Sequence, residues 1–157
     1  MGQLTVRGLA LPVLLGALLT QGRWRHPGPA VMAEVIPWFE DPLCFLGSAA
    51  EMERESRSMD MFADDPSYAF FREARGSALD GPVELPWLDV EQAVLIAVNS
   101  RPGDDVALAL DYRTDPSDPR VVGSDFWTDP WLCSWRVVAP AFSVFAADLG
   151  IGRSTEC

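Results

Sequence analysis

Apolar residues in the first half of the chain recur at the three- and four-residue spacing of helices. In the uncharged run 8–20 they are Leu11, Leu14, Leu15, Leu18 and Leu19. Pro12 suits a first helical turn and Gly22 follows the run, so the pattern predicts a short buried helix beginning at Pro12. The run is too short to cross about 30 Å of hydrocarbon, and no small-residue cleavage site follows it, which argues against a membrane span or a secretory signal.

Three more helix starts lie in the first half. Residues 29–36 (PAVMAEVI) place apolar side chains on one side and stop at a proline, which predicts a second short helix. Ser48 and Glu51 have the spacing of a capping box and predict a helix through Glu55. Residues 65–66 (Asp-Pro) repeat the start signal for a helix that stops at residues 75–76.

After Gly81 the pattern changes to apolar, partly β-branched runs that are typical of strands. Residues 93–98 and 106–110 predict a hairpin, and residues 121–122 and 135–138 predict a third and a fourth strand.

The chain closes with a helical stripe that begins at Pro140 and ends at Gly150, a C-cap residue. Its apolar members are Phe142, Phe145, Ala146 and Leu149. Helices first, strands second and a closing helix predict an α+β fold with its strands in the C-terminal half. With 157 residues and no repeats, we expect a single domain over 1–157.

Charge narrows the choice of function. The chain has 23 acidic and 12 basic residues, a net charge of −11, which argues against binding to nucleic acid or to an anionic membrane. All basic residues are Arg, and the chain has one His, so mechanisms that need Lys and metal sites that need two His are excluded within one chain. Cys44, Cys133 and Cys157 are odd in number and lack close spacing, which favours a cytoplasmic location.

Clustered carboxylates in the second half raise the question of catalysis. They are Asp111, Asp115, Asp118, Asp125 and Asp129. Their spacing does not match a calcium loop, and acids in an acidic chain are better explained by turns and a solvated or partner-facing edge. His26 precedes a proline and no Gly-x-Ser-x-Gly motif accompanies it, so a structural or surface role is favoured for it.

Tryptophans offer a second candidate for binding. Trp127, Trp131 and Trp135 fall four residues apart around Pro130. Such residues belong either to the core or to an interface beside an acidic surface, where Trp is a common hot spot.

Several segments of the second half resemble, in this order, the SUKH superfamily. They are 85–88 (LPWL), 94–98, 103–105 (GDD) leading into 110–113 (LDYR), 119–121 and 135–145 (WRVVAPAFSVF). The resemblance covers about 84–149. Residues 1–80 are divergent, because the early Leu-Pro-x-x-Tyr helix start of many members is not recognisable here. The helix signals described above make this part mainly helical.

The SUKH superfamily includes fungal cell-wall assembly regulators and bacterial proteins that protect a cell from toxins delivered by its neighbours. The resemblance implies an α+β fold with a mostly antiparallel sheet in the C-terminal half and helices packed on it, no enzymatic activity, no catalytic residue and no cofactor. It also implies core positions for a set of aromatic residues: Trp87, Tyr112, Trp135, Phe142 and Phe145.

Charge and resemblance together predict a non-enzymatic immunity protein that neutralises a toxin with a basic surface, such as a nuclease. Residues 80–148 carry a net charge of −8, and a basic target would be steered to them. The predicted partner-binding residues are Asp104, Asp105, Asp115, Asp118, Asp125, Trp127, Asp129 and Trp131. A regulatory scaffold of the cell-wall type and a small carboxylate- or metal-dependent hydrolase remain as alternatives.

Overall fold

The computed structural model describes residues 4–37, 43–63, 92–100, 107–124 and 135–150, of which 58–63 and 124 are described by their backbone alone. In chain order the elements are β1 (Thr5–Val6), β2 (Leu9–Ala10), α1 (Val13–Thr20), α2 (Pro29–Val35), β3 (Leu43–Phe45), α3 (Ala49–Ala63), β4 (Ala93–Asn99), β5 (Ala107–Asp111), β6 (Arg120–Ser124), β7 (Trp135–Ala139) and α4 (Phe142–Leu149).

The main sheet has five antiparallel strands in the order β3-β4-β5-β6-β7. Four of these strands come from the second half of the chain, so the predicted α+β fold with an antiparallel sheet in the C-terminal half is confirmed. β3 was not predicted, because its three residues are too few to show a strand period. It adds to the sheet beside β4.

The central strands β4 and β5 read as continuous apolar runs because both of their faces are covered. All five residues of β5 are buried, as are six of the seven in β4. The β4–β5 register shifts between Leu95 and Ala97. The backbone N–H of Leu95 donates to the hydroxyl of Ser56, 2.9 Å away, so α3 supplies an acceptor at the irregularity, where ladder bonding is disrupted.

α1 and α2 form as predicted, with small changes at their ends. α1 begins at Val13 with Pro12 as its N-cap, and α2 ends at Val35. Ser48 caps α3 as predicted, because the Glu51 N–H donates to Ser48 Oγ over 3.1 Å. α3 continues well beyond Glu55, to Ala63. The helix predicted from residue 65 lies outside the described residues.

A short hairpin, β1–β2, precedes α1 and was not predicted. Arg7 and Gly8 both have positive φ, 55° and 79°, as the tightest hairpin turns require. The backbone N–H of Arg7 donates to Glu53 Oε1 over 3.0 Å, and its guanidinium donates to the Ser56 carbonyl over 3.2 Å. These bonds hold the hairpin on α3.

An aromatic cluster joins the α1–α2 connection, β3 and α4. The ring of Trp24 lies 4.5 Å from Phe45, 5.5 Å from Phe142 and 6.3 Å from Phe145, measured between centroids. Both α4 phenylalanines are fully buried. The core positions implied for Tyr112, Trp135, Phe142 and Phe145 are confirmed by their burial, whereas Trp87 lies outside the described residues.

In the part of the chain that the structure describes, none of the helices combines the length and the apolar character needed to cross a membrane.

Candidate functional site

The β5–β6 loop starts from a buried ionic cluster. Asp111 is the last residue of β5 and is fully buried. The guanidinium of Arg113 donates to both oxygens of the Asp111 carboxylate, over 2.9 and 3.0 Å. Arg120 pairs with Asp111 across the β5–β6 ladder and donates to Oδ2 over 2.9 Å from Nε and 2.8 Å from its terminal nitrogen. One carboxylate therefore holds both ends of the loop.

This cluster keeps the Asp111 carboxyl ionised. Burial by itself raises the pKa of the Asp111 carboxyl, but the hydrogen bonds from Arg113 and Arg120 outweigh burial and lower that pKa below its usual range. Both oxygens of this carboxylate accept hydrogen bonds from guanidinium groups. Asp111 could act as a metal ligand or a general base only if those hydrogen bonds were broken. Asp111 is thus a positioning group, separated in role from the exposed acids that follow it.

Tyr112 fixes the start of the loop to the N-terminal hairpin. Its hydroxyl donates to the Ala10 carbonyl over 2.8 Å. Burial raises the pKa of the Tyr112 phenol above its ordinary value of 10.0, so the hydroxyl remains a donor throughout the physiological range. The loop therefore leaves a fixed point of the core.

Asp115 stands at the exposed tip of the loop. Its Oδ1 accepts hydrogen bonds from the Ser117 hydroxyl at 2.8 Å and from the Ser117 backbone N–H at 3.0 Å. These two bonds lower the pKa of the Asp115 carboxyl. Asp115 is therefore a turn residue, as the sequence favoured for the acids of this segment. Its exposed carboxylate presents a negative charge to solvent.

Asp118 links the loop to the closing helix. Its Oδ1 accepts from the backbone N–H of Ser143 at 3.0 Å, and its Oδ2 accepts from the Ser143 hydroxyl at 2.6 Å. The N-cap of α4, Ala141, has no side-chain hydrogen bond of its own. Asp118 therefore satisfies a first-turn N–H of α4 from another part of the chain and places negative charge at the positive end of that helix.

We expect Asp118→Ala to lower the free energy of unfolding by about 1 kcal/mol, the usual cost of losing a helix cap. Asp118→Asn should cost less, because its side-chain oxygen can still accept the Ser143 N–H. Urea denaturation of the two variants and the wild type measures the difference. Equal losses for Ala and Asn would contradict the capping role.

The other predicted partner-binding residues lie outside the described residues. They are Asp104, Asp105, Asp125, Trp127, Asp129 and Trp131. Of the eight, the structure therefore places Asp115 and Asp118, which it brings into one loop beside the start of α4.

Two exposed residues of α4 were not singled out by the sequence. Val144 and Asp148 lie outside the buried stripe of this helix and face solvent. The same periodicity that predicted the stripe could have pointed to them, because residues between the stripe positions fall on the opposite side.

His26 and Cys44 lie on the surface near β3. His26 Nδ1 accepts the Gly28 N–H at 3.0 Å, and the His26 ring lies 5.5 Å from the ring of Phe45. These contacts agree with the structural or surface role favoured for His26. Among the described residues, no three His, Cys, Asp or Glu side chains are grouped so that they could hold a metal ion.

Comparisons of this chain with protein-family models, with curated proteins and with solved structures find no match.

Proposed function

We propose that this chain is a non-enzymatic immunity protein that binds and neutralises a toxin with a basic surface. The observation that carries the proposal is the construction of the β5–β6 loop. Its exposed charge, Asp115, stands between two fixed points, the buried Asp111 cluster and the Asp118 contact with Ser143. A charged loop that is already ordered loses little conformational entropy on binding, so its charge complementarity contributes more fully to affinity.

The fold supports this proposal. An α+β fold with a five-stranded antiparallel sheet and a closing helix is the class of fold that the resemblance to the SUKH superfamily implies. In that superfamily the matched aromatic residues are architectural, and the burial of Tyr112, Trp135, Phe142 and Phe145 agrees with this.

The distribution of charge supports a basic partner. Residues 80–148 account for −8 of the net charge of −11. A toxin that cleaves nucleic acid needs cationic groups around its active site, because its substrate is a polyanion. An acidic inhibitor is attracted to that surface over a range set by ionic strength, and it competes there with the substrate.

Two of the carboxylates that the hydrolase alternative needs are already engaged by other side chains. Asp111, the first of the clustered acids, is engaged by Arg113 and Arg120. Asp118 is engaged by Ser143. A regulatory scaffold differs from an immunity protein in its partner, so identification of the partner distinguishes these two.

Affinity capture tests the proposal. We expect the tagged wild-type protein to retain one basic protein from extract of its source cells near one-to-one at low salt. Moderate salt should weaken the complex, because the attraction between opposite charges is screened. The retained protein should be a toxin whose activity the wild-type chain inhibits in a purified assay.

The matched control for capture is the double variant Asp115→Asn, Asp118→Asn. At position 115 the amide oxygen can accept both Ser117 hydrogen bonds. At position 118 it can accept the Ser143 N–H while the amide NH2 donates to the Ser143 hydroxyl, so the loop keeps its shape while losing two charges. We expect slower association and a flatter salt dependence. Retention of no basic protein by the wild type would contradict the proposed function, and unchanged association of the double variant would remove this loop from the interface.

A further inference from the structure

The outer face of α4 is a continuous exposed surface. Four of the eight residues of the helix form its buried stripe. The other four, Ser143, Val144, Ala147 and Asp148, are exposed. On a helix, residues four positions apart are neighbours, so Val144 lies beside Asp148 and Ser143 beside Ala147. The face is therefore small, compact and partly apolar.

Two residues of this face are not explained by folding. The Val144 side chain is 40% exposed, although a polar residue at this position would serve the helix equally well. Asp148 lies in the last turn of α4, which holds no basic residue. A negative charge there opposes the helix dipole, which favours cations at the C-terminal end.

The acidic β5–β6 loop adjoins the other end of the same face. Asp118 contacts Ser143 directly, at 2.6 Å. Ser143 and Asp148 are five residues apart, about 7.5 Å along the helix axis, so the half-buried Asp118 and the exposed Asp148 flank a short apolar centre. Such an arrangement, apolar in the middle and charged at the rim, is that of a protein interface.

We infer that the outer face of α4 is the docking surface for the basic partner, with Val144 as its apolar anchor and Asp118 and Asp148 as its charged rim. This inference rests on the proposed function and adds to it the surface and the chemistry of the matching site. The partner presents a shallow apolar recess between two cationic groups about 7 to 8 Å apart. Charge complementarity with an acidic rim selects such a partner over an acidic or neutral one.

Paired arginine substitutions test the docking surface. The probe is the basic protein that the wild-type chain retains at low salt, purified and titrated against each variant. We expect Val144→Arg to weaken the complex roughly tenfold or more, because a cation replaces an apolar group at the centre of the contact. Val13→Arg is the matched control, since Val13 is another exposed valine, 77% exposed on α1, and it should leave the affinity within about threefold.

Asp148→Arg separates binding from folding. The substitution replaces an unfavourable charge at the C-terminal end of α4 with a favourable one, so the midpoint of thermal unfolding should rise. The affinity for the same basic protein should nevertheless fall. A residue with a purely structural role would not move these two quantities in opposite directions.

Several outcomes would overturn the inference. One is that the wild type retains a basic toxin and Val144→Arg binds it as tightly as Val13→Arg. Another is that the wild type sediments as a dimer that Val144→Arg dissociates, because the face then joins two copies of this chain. If the wild type retains no basic protein, the proposed function fails, and the docking surface fails with it.

Discussion

Asp111→Ala is expected to lower the free energy of unfolding by roughly 3 to 5 kcal/mol, the usual cost of removing one partner of a buried ion pair. Asp111 is fully buried, and the side chains of Arg113 and Arg120 are only 8% and 16% exposed. Removal of the carboxylate leaves two guanidinium groups near one another without their shared counter-charge. Urea denaturation measures the loss as a lower midpoint.

A control variant separates charge from packing. Replacing Asp111, Arg113 and Arg120 together by apolar residues of similar volume removes the whole cluster and leaves no cation behind. We expect this triple variant to be more stable than Asp111→Ala, because apolar replacements of a buried ion cluster are often neutral or stabilising. A loss below about 1 kcal/mol for Asp111→Ala would contradict the role assigned to the cluster.

The same carboxylate couples stability to acid. Because the pKa of Asp111 is lowered in the folded chain, its contribution is fully present above the unfolded value of about 3.9. The contribution is lost as the pH falls through the folded-state pKa. Between about pH 5 and pH 2, the stability of the wild type should therefore fall more steeply than that of Asp111→Ala.

The elements that the sequence predicts well are those with a local signal. α4 has a complete apolar stripe, and Gly150 ends it with a φ of 78°, the left-handed geometry that suits glycine. The capping box of α3 needs only Ser48 and Glu51, three residues apart. Even here the detail differs, because the Glu51 carboxylate accepts the N–H of Gly47 at 2.7 Å, one residue before the usual partner.

The elements that the sequence misses are short or depend on distant contacts. β1 and β2 have two residues each, too few to show a period. α3 extends to Ala63, eight residues beyond the end that the local pattern predicts. Hydrogen bonds join α3 to Arg7 of the hairpin and to Leu95 of β4. Packing against these elements therefore stabilises the helix, and helix propensity alone does not predict where it ends.

The candidate site also has one part that a local pattern predicts and other parts that depend on distant contacts. The turn at Asp115 involves Ser117, two residues away, and its composition indicates it. The cap that Asp118 provides joins residues 25 positions apart, which no local spacing reveals. Asp111 differs from the other acids because it is buried. The sequence, in which it is one of several Asp residues close together, does not predict that burial. The sequence therefore predicts the acidic residues but not their division into a buried positioning group, an exposed turn residue and a half-buried helix cap.

Phe145→Ala is expected to lower the free energy of unfolding by about 3 to 5 kcal/mol, the cost of a cavity left by a buried phenylalanine. Phe145 is fully buried and packs against Trp24, which joins α4 to β3 through Phe45. Its neighbour Val144 is exposed, so Val144→Ala is a matched control and should change stability by less than about 0.5 kcal/mol. Urea denaturation of both variants measures the two losses.

Phe145→Leu refines this second expectation. Leucine refills part of the cavity, so the free energy of unfolding of Phe145→Leu should fall by more than that of Val144→Ala and by less than that of Phe145→Ala. Similar losses for the alanine and leucine variants at position 145 would contradict tight packing around this ring. The comparison also bears on binding, because Phe145 holds the inner side of the helix whose outer side carries Val144. A fraction of Phe145→Ala that remains folded should keep the affinity of the wild type, whereas Val144→Arg should lose affinity while remaining fully folded.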